Sequence, residues 1–437
     1  MPCNKIIEGA SLMKKILAVV LLVSLLVPAA AFAEGFGVYE WSATGTAMGD
    51  NFMFDEEDAA VLAYNPAGIT HLKGRYLSFG ATWFNPAIKC HFDNGPINQM
   101  AGFPAKSHKN NSYDPVWSGS AFYTHQLNDK HWLGLGIFPR FGNGITFDST
   151  WEGRYDTVSG NITGITIQPT WAFKPTEKLS LAIGLDINYM NLKLEKMIPG
   201  ALLFPGGNDM LLGLDGKCTH LGWLVSAMYD FDKKNSAAIT YRSKITHNMD
   251  ADTDVSNTPY GDISTQAHGE VTIPDSISFG FGHKFDDKSR IEFDATWTNW
   301  ATYDKLDMKF DHPLFAGIPV GSEKNWTTAW RFGIGYQRRM SPKWTFLCGY
   351  NFDGSPVPDS SFDFTVPTGD RHRGSVGFKY NISKDAAVTF AYTAIWAGSR
   401  DVRSKLPSPA DGMDFSHARI NDCLTQILSL GFSMKLK

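Results

Sequence analysis

The chain lacks a second long apolar run. After residues 16–27, no stretch approaches the roughly 18 to 20 apolar residues that a helix needs to cross a bilayer. It also lacks a basic block: the net charge is -4, which leaves no electrostatic footprint for nucleic acid. Cysteine is scarce. Cys3 falls in the leader, and Cys90, Cys218, Cys348 and Cys423 stand at spacings that match no metal motif, so neither a metal nor another cofactor is expected. A disulfide is chemically allowed in an oxidising envelope, and Cys90 with Cys218 is the pair to test. His125, His131, His283 and His372 are scattered, with no Ser-centred motif beside them. The nucleophile, base and orienting group of a lipid hydrolase are therefore missing, and the chain is not expected to be an enzyme.

What is present begins with an address. Lys14 and Lys15 precede an apolar run from Ile16 to Val27, and Ala31-Phe32-Ala33 offers the small-x-small pattern of a cleavage site. Residues 1–33 read as a signal peptide, with residues 1–12 as a start-site extension before Met13. Aromatics are abundant, with 13 Trp, 15 Tyr and 30 Phe, as two interfacial girdles would require. The mean hydropathy of -0.20 resembles that of a water-soluble protein. A membrane barrel has the same average, because only one face of each strand meets lipid.

The segment Lys178 to Lys196 carries the pattern most clearly. Leu179, Leu181, Ile183, Leu185 and Ile187 share one face, ending at Tyr189, while Ser180, Ala182, Gly184, Asp186 and Asn188 share the other. A wall between lipid and a polar interior needs both halves at once. The parity recurs in Leu77, Phe79 and Trp83, in Leu221, Trp223 and Val225, in Val388, Phe390 and Tyr392, and in Leu428, Leu430 and Phe432. Short polar turns such as Asn128-Asp129-Lys130 and Asp286 to Ser289 alternate with long connections, among them Asn85 to Pro115, Met197 to Lys217 and Asp250 to His268. The pattern predicts an all-β fold: a 14-stranded antiparallel transmembrane β-barrel over residues 74–437, in the outer membrane of a Gram-negative bacterium. One departure stands at the end, where Met434-Lys435-Leu436-Lys437 replaces the terminal aromatic that the barrel assembly machinery reads in many such proteins.

Residues 34–73 do not alternate. They contain small residues, acids from Asp55 to Asp58, and the breaker Asn65-Pro66-Ala67-Gly68. Such a segment can dangle as a linker or plug the lumen. Phe36, Val38, Tyr39, Trp41, Phe52, Phe54, Leu62 and Tyr64 favour a hatch inside the barrel, because a free linker does not carry so many groups that prefer burial.

Several motifs stand in a telling order: Gly35-Phe36, Glu40-Trp41-Ser42, Asn65-Pro66-Ala67, Phe141-Gly142, Trp151-Glu152-Gly153-Arg154-Tyr155, Tyr241-Arg242-Ser243, Ile273-Pro274-Asp275 and Ser355-Pro356-Val357-Pro358. In this the chain resembles the FadL/TodX family of outer-membrane channels for hydrophobic compounds, over nearly all of its mature length. The resemblance implies passive, ligand-gated uptake, with lateral exit beside an inward-kinked third strand. Here that strand runs from about His131 to Phe147, with Pro139, Gly142 and Gly144 as the interruption. The resemblance also implies that Phe36 inserts toward the lumenal pocket, and the Asn65-Pro66-Ala67 turn is expected to lock hatch to wall.

Continuing the inner parity of the fifth strand past Asn188 gives Met190, Leu192 and Leu194 facing inward, then Lys196. Apolar pockets with one placed charge suit an amphiphile such as a fatty acid. The following loop, with Phe204 and Leu211, is greasy for something facing water and reads as a capture groove. A lysine that relatives carry after an Asn-Trp pair is replaced here by Thr327, which shifts the expectation toward an uncharged hydrocarbon or another lipid-like ligand. Arg154, Arg331 and Arg371 are expected to pair with lumenal acids such as Asp186, Glu292 and Asp294. The expected partners are hydrophobic small molecules or fatty acids, outer-membrane lipid, and the assembly machinery during biogenesis, for a monomer. The alternatives are a general diffusion porin or a structural, adhesive barrel.

Overall fold

The computed structural model describes residues 35–92, 109–112, 115–151, 153–200, 207–315, 322–367, 369–405 and 414–437. The expected leader and its cleavage site lie outside them. Fourteen antiparallel strands close into one barrel. In chain order they are β1 (Arg75–Phe92), β2 (Lys109–Ser112 and Val116–Gln126), β3 (His131–Thr146), β4 (Ser159–Phe173), β5 (Leu179–Ile198), β6 (Met210–Asp230) and β7 (Asn235–Arg242 and Ile245–Ser256). There follow β8 (Ile263–Ile273 and Ser276–Lys284), β9 (Ser289–Thr298 and Lys305–Phe310), β10 (Ser322–Glu323 and Ala329–Arg339), β11 (Trp344–Asp353), β12 (Arg371–Asn381), β13 (Ala386–Ala397 and Arg400–Lys405) and β14 (Asp414–Leu436). The ring closes where β1 meets β14, from Arg75↔Leu436 to Phe92↔Ala418. An even count of antiparallel strands returns the chain to its first strand with no free edge.

The two faces follow the parity. Leu181, Ile183, Leu185, Trp223, Val225, Phe279, Phe378, Phe390 and Leu430 are exposed on the outer surface, while Ser180, Asp186 and Asn188 are buried inside. The short turns are held by acceptor side chains. Asn128 Oδ1 accepts from the backbone N–H groups of Lys130 and His131, and Asp286 Oδ1 accepts from those of Lys288 and Ser289.

The long connections differ from expectation. Asp250 to His268 is not a loop: β7 and β8 stay paired from Ile245↔Ile273 to Val255↔Ile263, and only residues 257–262 turn. Met197 and Lys217 likewise lie on β5 and β6, which pair out to Ile198↔Met210. A ladder can run beyond lipid when its outward residues are polar. Asp250, Asp252 and Asp254 are exposed there, while Met249, Ala251, Thr253 and Val255 face the core.

Residues 35–72 form no strand. Helix α1 (Ala43–Ala47) is capped by Ser42, whose Oγ accepts from Gly45 N at 2.9 Å. Helix α2 (Val61–Tyr64) leads into a 3-10 turn over Pro66–His71. Trp41, Phe52, Leu62 and Ile69 are buried against inward side chains such as Trp132 and Phe138. Wall groups reach the segment's carbonyls: Gln168 Nε2 donates to Leu62 O at 3.0 Å, an Arg242 N–H to Ala63 O at 2.7 Å and an Arg290 N–H to Phe54 O at 2.6 Å. Gly349 on β11 permits this approach, because a Cβ there would collide with the Met48 carbonyl.

Candidate lumenal binding site

Strand β3 leaves its neighbour halfway. Its ladder with β2 ends at Ala121↔Ile137, and its register with β4 shifts between Pro139 and Phe141. Pro139 has no N–H to offer, and the freed backbone turns to the N-terminal segment. Val38 N donates to Arg140 O, and Gly142 N donates to Phe36 O, both at 3.0 Å. A Cβ on Gly142 would come within 3.2 Å of Val38 Cγ2. Gly144 lies past the shift and still pairs with Asn161 of β4.

That exchange delivers Phe36 to an aromatic cage. Its ring lies 4.7 Å from Trp300, 5.6 Å from Tyr303, 5.8 Å from Phe141 and 5.9 Å from Trp326, centroid to centroid. The cage is continuous with an apolar cluster that includes Met190, Leu192, Leu212, Leu214 and Met249.

Above the cage, Leu194, Leu212, Leu214 and Leu306 line a pocket with Tyr155, Asp156, Lys196, Lys324 and Asp363. Met190 and Leu192 are buried on the inner face as parity requires, and Leu194 and Lys196 continue that face into the pocket. Leu211 is a correction: on β6 the even positions Met210, Leu212 and Leu214 turn inward, so Leu211 points to the opposite face. Phe204 lies outside the described residues.

Lys324, directly before Asn325-Trp326 rather than after it, is a functional candidate that the sequence pattern does not single out. It is buried, pairs with Asp363, and stands 5.9 Å from the centre of the Tyr303 ring. Two cations thus sit beside two acids over an apolar floor. Asp156, on the β3–β4 connection, accepts from Phe364 N at 2.7 Å. Burial, with Asp363 adding like charge, pushes its carboxyl up to about 7. The open space is about 50 Å³, enough for a few waters but not for an acyl tail, so a ligand must displace side chains.

Toward the short-turn end the interior is charged. Asp186 meets Arg140 and, at 3.7 Å, Arg242. Arg290 pairs with Asp55 and Glu292, and Arg373 with Asp50 and Glu40. Asn65 is fully buried: its Nδ2 donates to Met53 O at 2.8 Å, and its Oδ1 accepts from Ser226 Oγ of β6 at 2.8 Å. Pro66 opens the 3-10 turn, and Ala67 N donates to the same Ser226 Oγ at 3.4 Å.

The arginine partners differ in part from those expected, although Arg331 lines one cavity with Asp294 and Arg371 does meet a buried acid. Arg154 joins Asp209 and the Tyr155 hydroxyl, Arg331 donates to Gly49 O and lies over Tyr39, and Arg371 meets Asp353 and Gly35 O. Asp209, Tyr155, Gly49, Tyr39 and Gly35 come from connections or the N-terminal segment, and Asp353 stands directly across from Arg371 on β11, placements that spacing along the chain does not reveal. The Cys90 side chain lies outside the described residues. Cys218 is a free thiol whose Sγ lies 3.2 Å from His247 Nδ1.

Known proteins share this architecture. The long-chain fatty acid transport protein of Escherichia coli K12 is 24% identical over 403 residues, covering 83% of this chain and 88% of the relative. Outer membrane protein P1 of Haemophilus influenzae is 22% identical, covering 77% of this chain and 80% of its own. Among solved structures, a Pseudomonas aeruginosa FadL homologue superposes with a TM-score of 0.79 at 19% identity, over 92% of this chain and all of that one. The toluene transporter TodX of Pseudomonas putida superposes with a TM-score of 0.68 at 15% identity, over 92% and 99%. Residues 24–419 match the family described as outer membrane protein transport protein (OMPP1/FadL/TodX), and with that match and this barrel the chain belongs to that family of outer-membrane proteins.

Proposed function

We propose that this barrel takes up hydrophobic molecules passively: an amphiphile enters the outer pocket, moves to the Phe36 cage, and leaves sideways beside β3 when residues 35–72 shift. The observation that carries the reading is an unbroken apolar stretch, from Leu212 and Leu214 through Met190 and Leu192 to Phe36, headed by Lys196 and Lys324. A tail gains by leaving water along that stretch, and an anionic head group meets two ammonium groups. Lys324 supplies the second cation that Thr327 does not, which favours carboxylate ligands such as long-chain fatty acids over uncharged hydrocarbons. Residues 35–72 act as the stopper, with Asn65 as its tie to β6. A general porin fits poorly, because wall and N-terminal segment bond across the interior and leave only about 40 Å³ beside Arg140 and Arg331.

The test is uptake by cells or vesicles of a labelled long-chain fatty acid beside an uncharged hydrocarbon of similar size. Lys196→Met should slow the acid and spare the hydrocarbon, while Asn65→Ala should change both. Equal rates for all three proteins would end this reading, as would free ion conductance by the wild type in planar bilayers.

A further inference from the structure

Strands β6 and β7 separate in mid-wall. They pair from Leu211↔Ser256 to Gly216↔Ala251 and again from Leu224↔Arg242 to Asp230↔Ser236, but no ladder joins them between. Across Ser243-Lys244 the inward parity of β7 changes, from Ala238, Thr240 and Arg242 to Ile245, His247 and Met249. Ser243 alone bridges the lower edge, accepting Trp223 N at its Oγ and donating its own N–H to Trp223 O, both at 2.9 Å.

Three soft or borderline donors fill that gap. Cys218 and His220 of β6 and His247 of β7 present ligand atoms all within 4.8 Å of one another. The two imidazole rings stand 5.2 Å apart and nearly perpendicular. His247 is 0% exposed, and its Nε2 has no hydrogen-bond partner among the described residues. His220 Nδ1 and Asn188 Oδ1 are also buried without partners, and Asn188 stands directly across from His220 on β5. Orphaned imidazole nitrogens in a buried wall are costly, and a bound ion would satisfy them.

We propose that Cys218, His220 and His247 bind a thiophilic transition-metal ion, Zn2+ or Cu+, which clasps β6 to β7 where their ladder is open. Tetrahedral Zn2+ with ligands at about 2.0–2.3 Å places donor atoms roughly 3.5 Å apart, a modest adjustment of this cluster. One thiolate and two imidazoles suit these ions, whereas Mg2+ and Ca2+ require oxygen ligands. The nearest lumenal carboxylate on β5, Asp186, is already engaged by Arg140 and Arg242. Three protein ligands leave a fourth position open toward the lumen.

The test uses tag-free, full-length protein in mild detergent, stripped with chelator and then titrated separately with Co2+, Zn2+ and Cu+. Expected are an equimolar uptake, a thiolate-to-cobalt charge-transfer band, and slower amide exchange over residues 217–222 in the metal-bound form. Cys218→Ser should abolish the band, and His247→Ala should weaken binding by roughly 100-fold or more. His268→Asn, at an exposed cluster with Asp250 and Asp311, should change nothing. Heat-modifiable migration on gels reports that each variant is a folded barrel, and Cys218→Ser alone decides the matter if His247→Ala does not fold. Competition between Zn2+ and Cu+ identifies the preferred ion. Equal uptake by the wild type and a Cys218→Ser/His247→Ala protein overturns the proposal, and so does uptake without the sulfur band.

Discussion

At the end of the barrel closed by short turns, the inward face carries Asp186, Arg242, Arg290, Glu292 and Arg373, and each is matched by a countercharge or by a carbonyl of residues 35–72. At the other end the same face carries Met190, Leu192, Leu212 and Leu214, with charge confined to a rim of lysines and aspartates. One parity rule therefore produces two interiors. The charged half recognises a particular backbone, because buried ions require specific partners, whereas the apolar half accepts any surface that prefers to leave water. A stopper needs the first kind of wall and a hydrophobic ligand the second.

The comparison can be broken most forcefully at Arg373. Arg373→Met strands the buried carboxylates of Glu40 and Asp50, and unfolding in denaturant should show a loss of about 3–5 kcal/mol. If the charged half holds the stopper, this variant should also leak ions across planar bilayers. In the apolar half, Lys196→Met should weaken binding of an anionic amphiphile by roughly 10- to 100-fold, the worth of about 1.5–3 kcal/mol for a charged hydrogen bond, with little change in stability. Gly349→Ala forces a methyl group against Met48, and should cost about 1–3 kcal/mol in the same denaturation assay.

A smaller effect sharpens the contrast through pH. With Asp156 pushed up to about 7, protonation leaves Lys196 and Lys324 facing Asp363 alone, so the pocket gains positive charge as pH falls. Affinity for an anionic amphiphile should rise several-fold between about pH 8 and pH 6, where the ligand carboxylate is still ionised, and Asp156→Asn should flatten the titration. Because the folded value is raised, the stabilisation linked to this group is fully present below its unfolded pKa of about 3.9 and is lost as pH rises through about 7. Least of all, Leu211→Ser should leave both affinity and stability within about 0.5 kcal/mol of the wild type, while Leu212→Ser, one residue away, should lower affinity measurably.

Much of this was legible in the chain. The lipid face of β5 announces itself because Leu, Ile and Tyr recur at every second position against Ser, Ala, Gly, Asp and Asn. The inward run Met190-Leu192-Leu194 follows by counting on. The β7–β8 hairpin looks like a loop in the sequence because its outward residues are aspartates rather than apolar groups, although Met249, Ala251 and Val255 keep the alternation. Side-chain partners were harder. Lys324 with Asp363, Arg154 with Asp209 and Cys218 with His247 join residues 29 to 55 positions apart, through connections and an open stretch of wall whose approach no local pattern supplies.

The hairpin of β5 and β6 keeps its ladder for 20 residues of β5, roughly 66 Å of extended chain, which at a 45° tilt rises about 47 Å against an apolar band of about 25 Å. Leu194 and Leu212 therefore stand in an aqueous layer above the bilayer. There the expulsion of water rewards contact with an oily solute, a reward that fades once the solute reaches hydrocarbon as apolar as itself. On the proposed reading, the height of one hairpin thus gives an oily solute a downhill path from medium to membrane that needs no fuel.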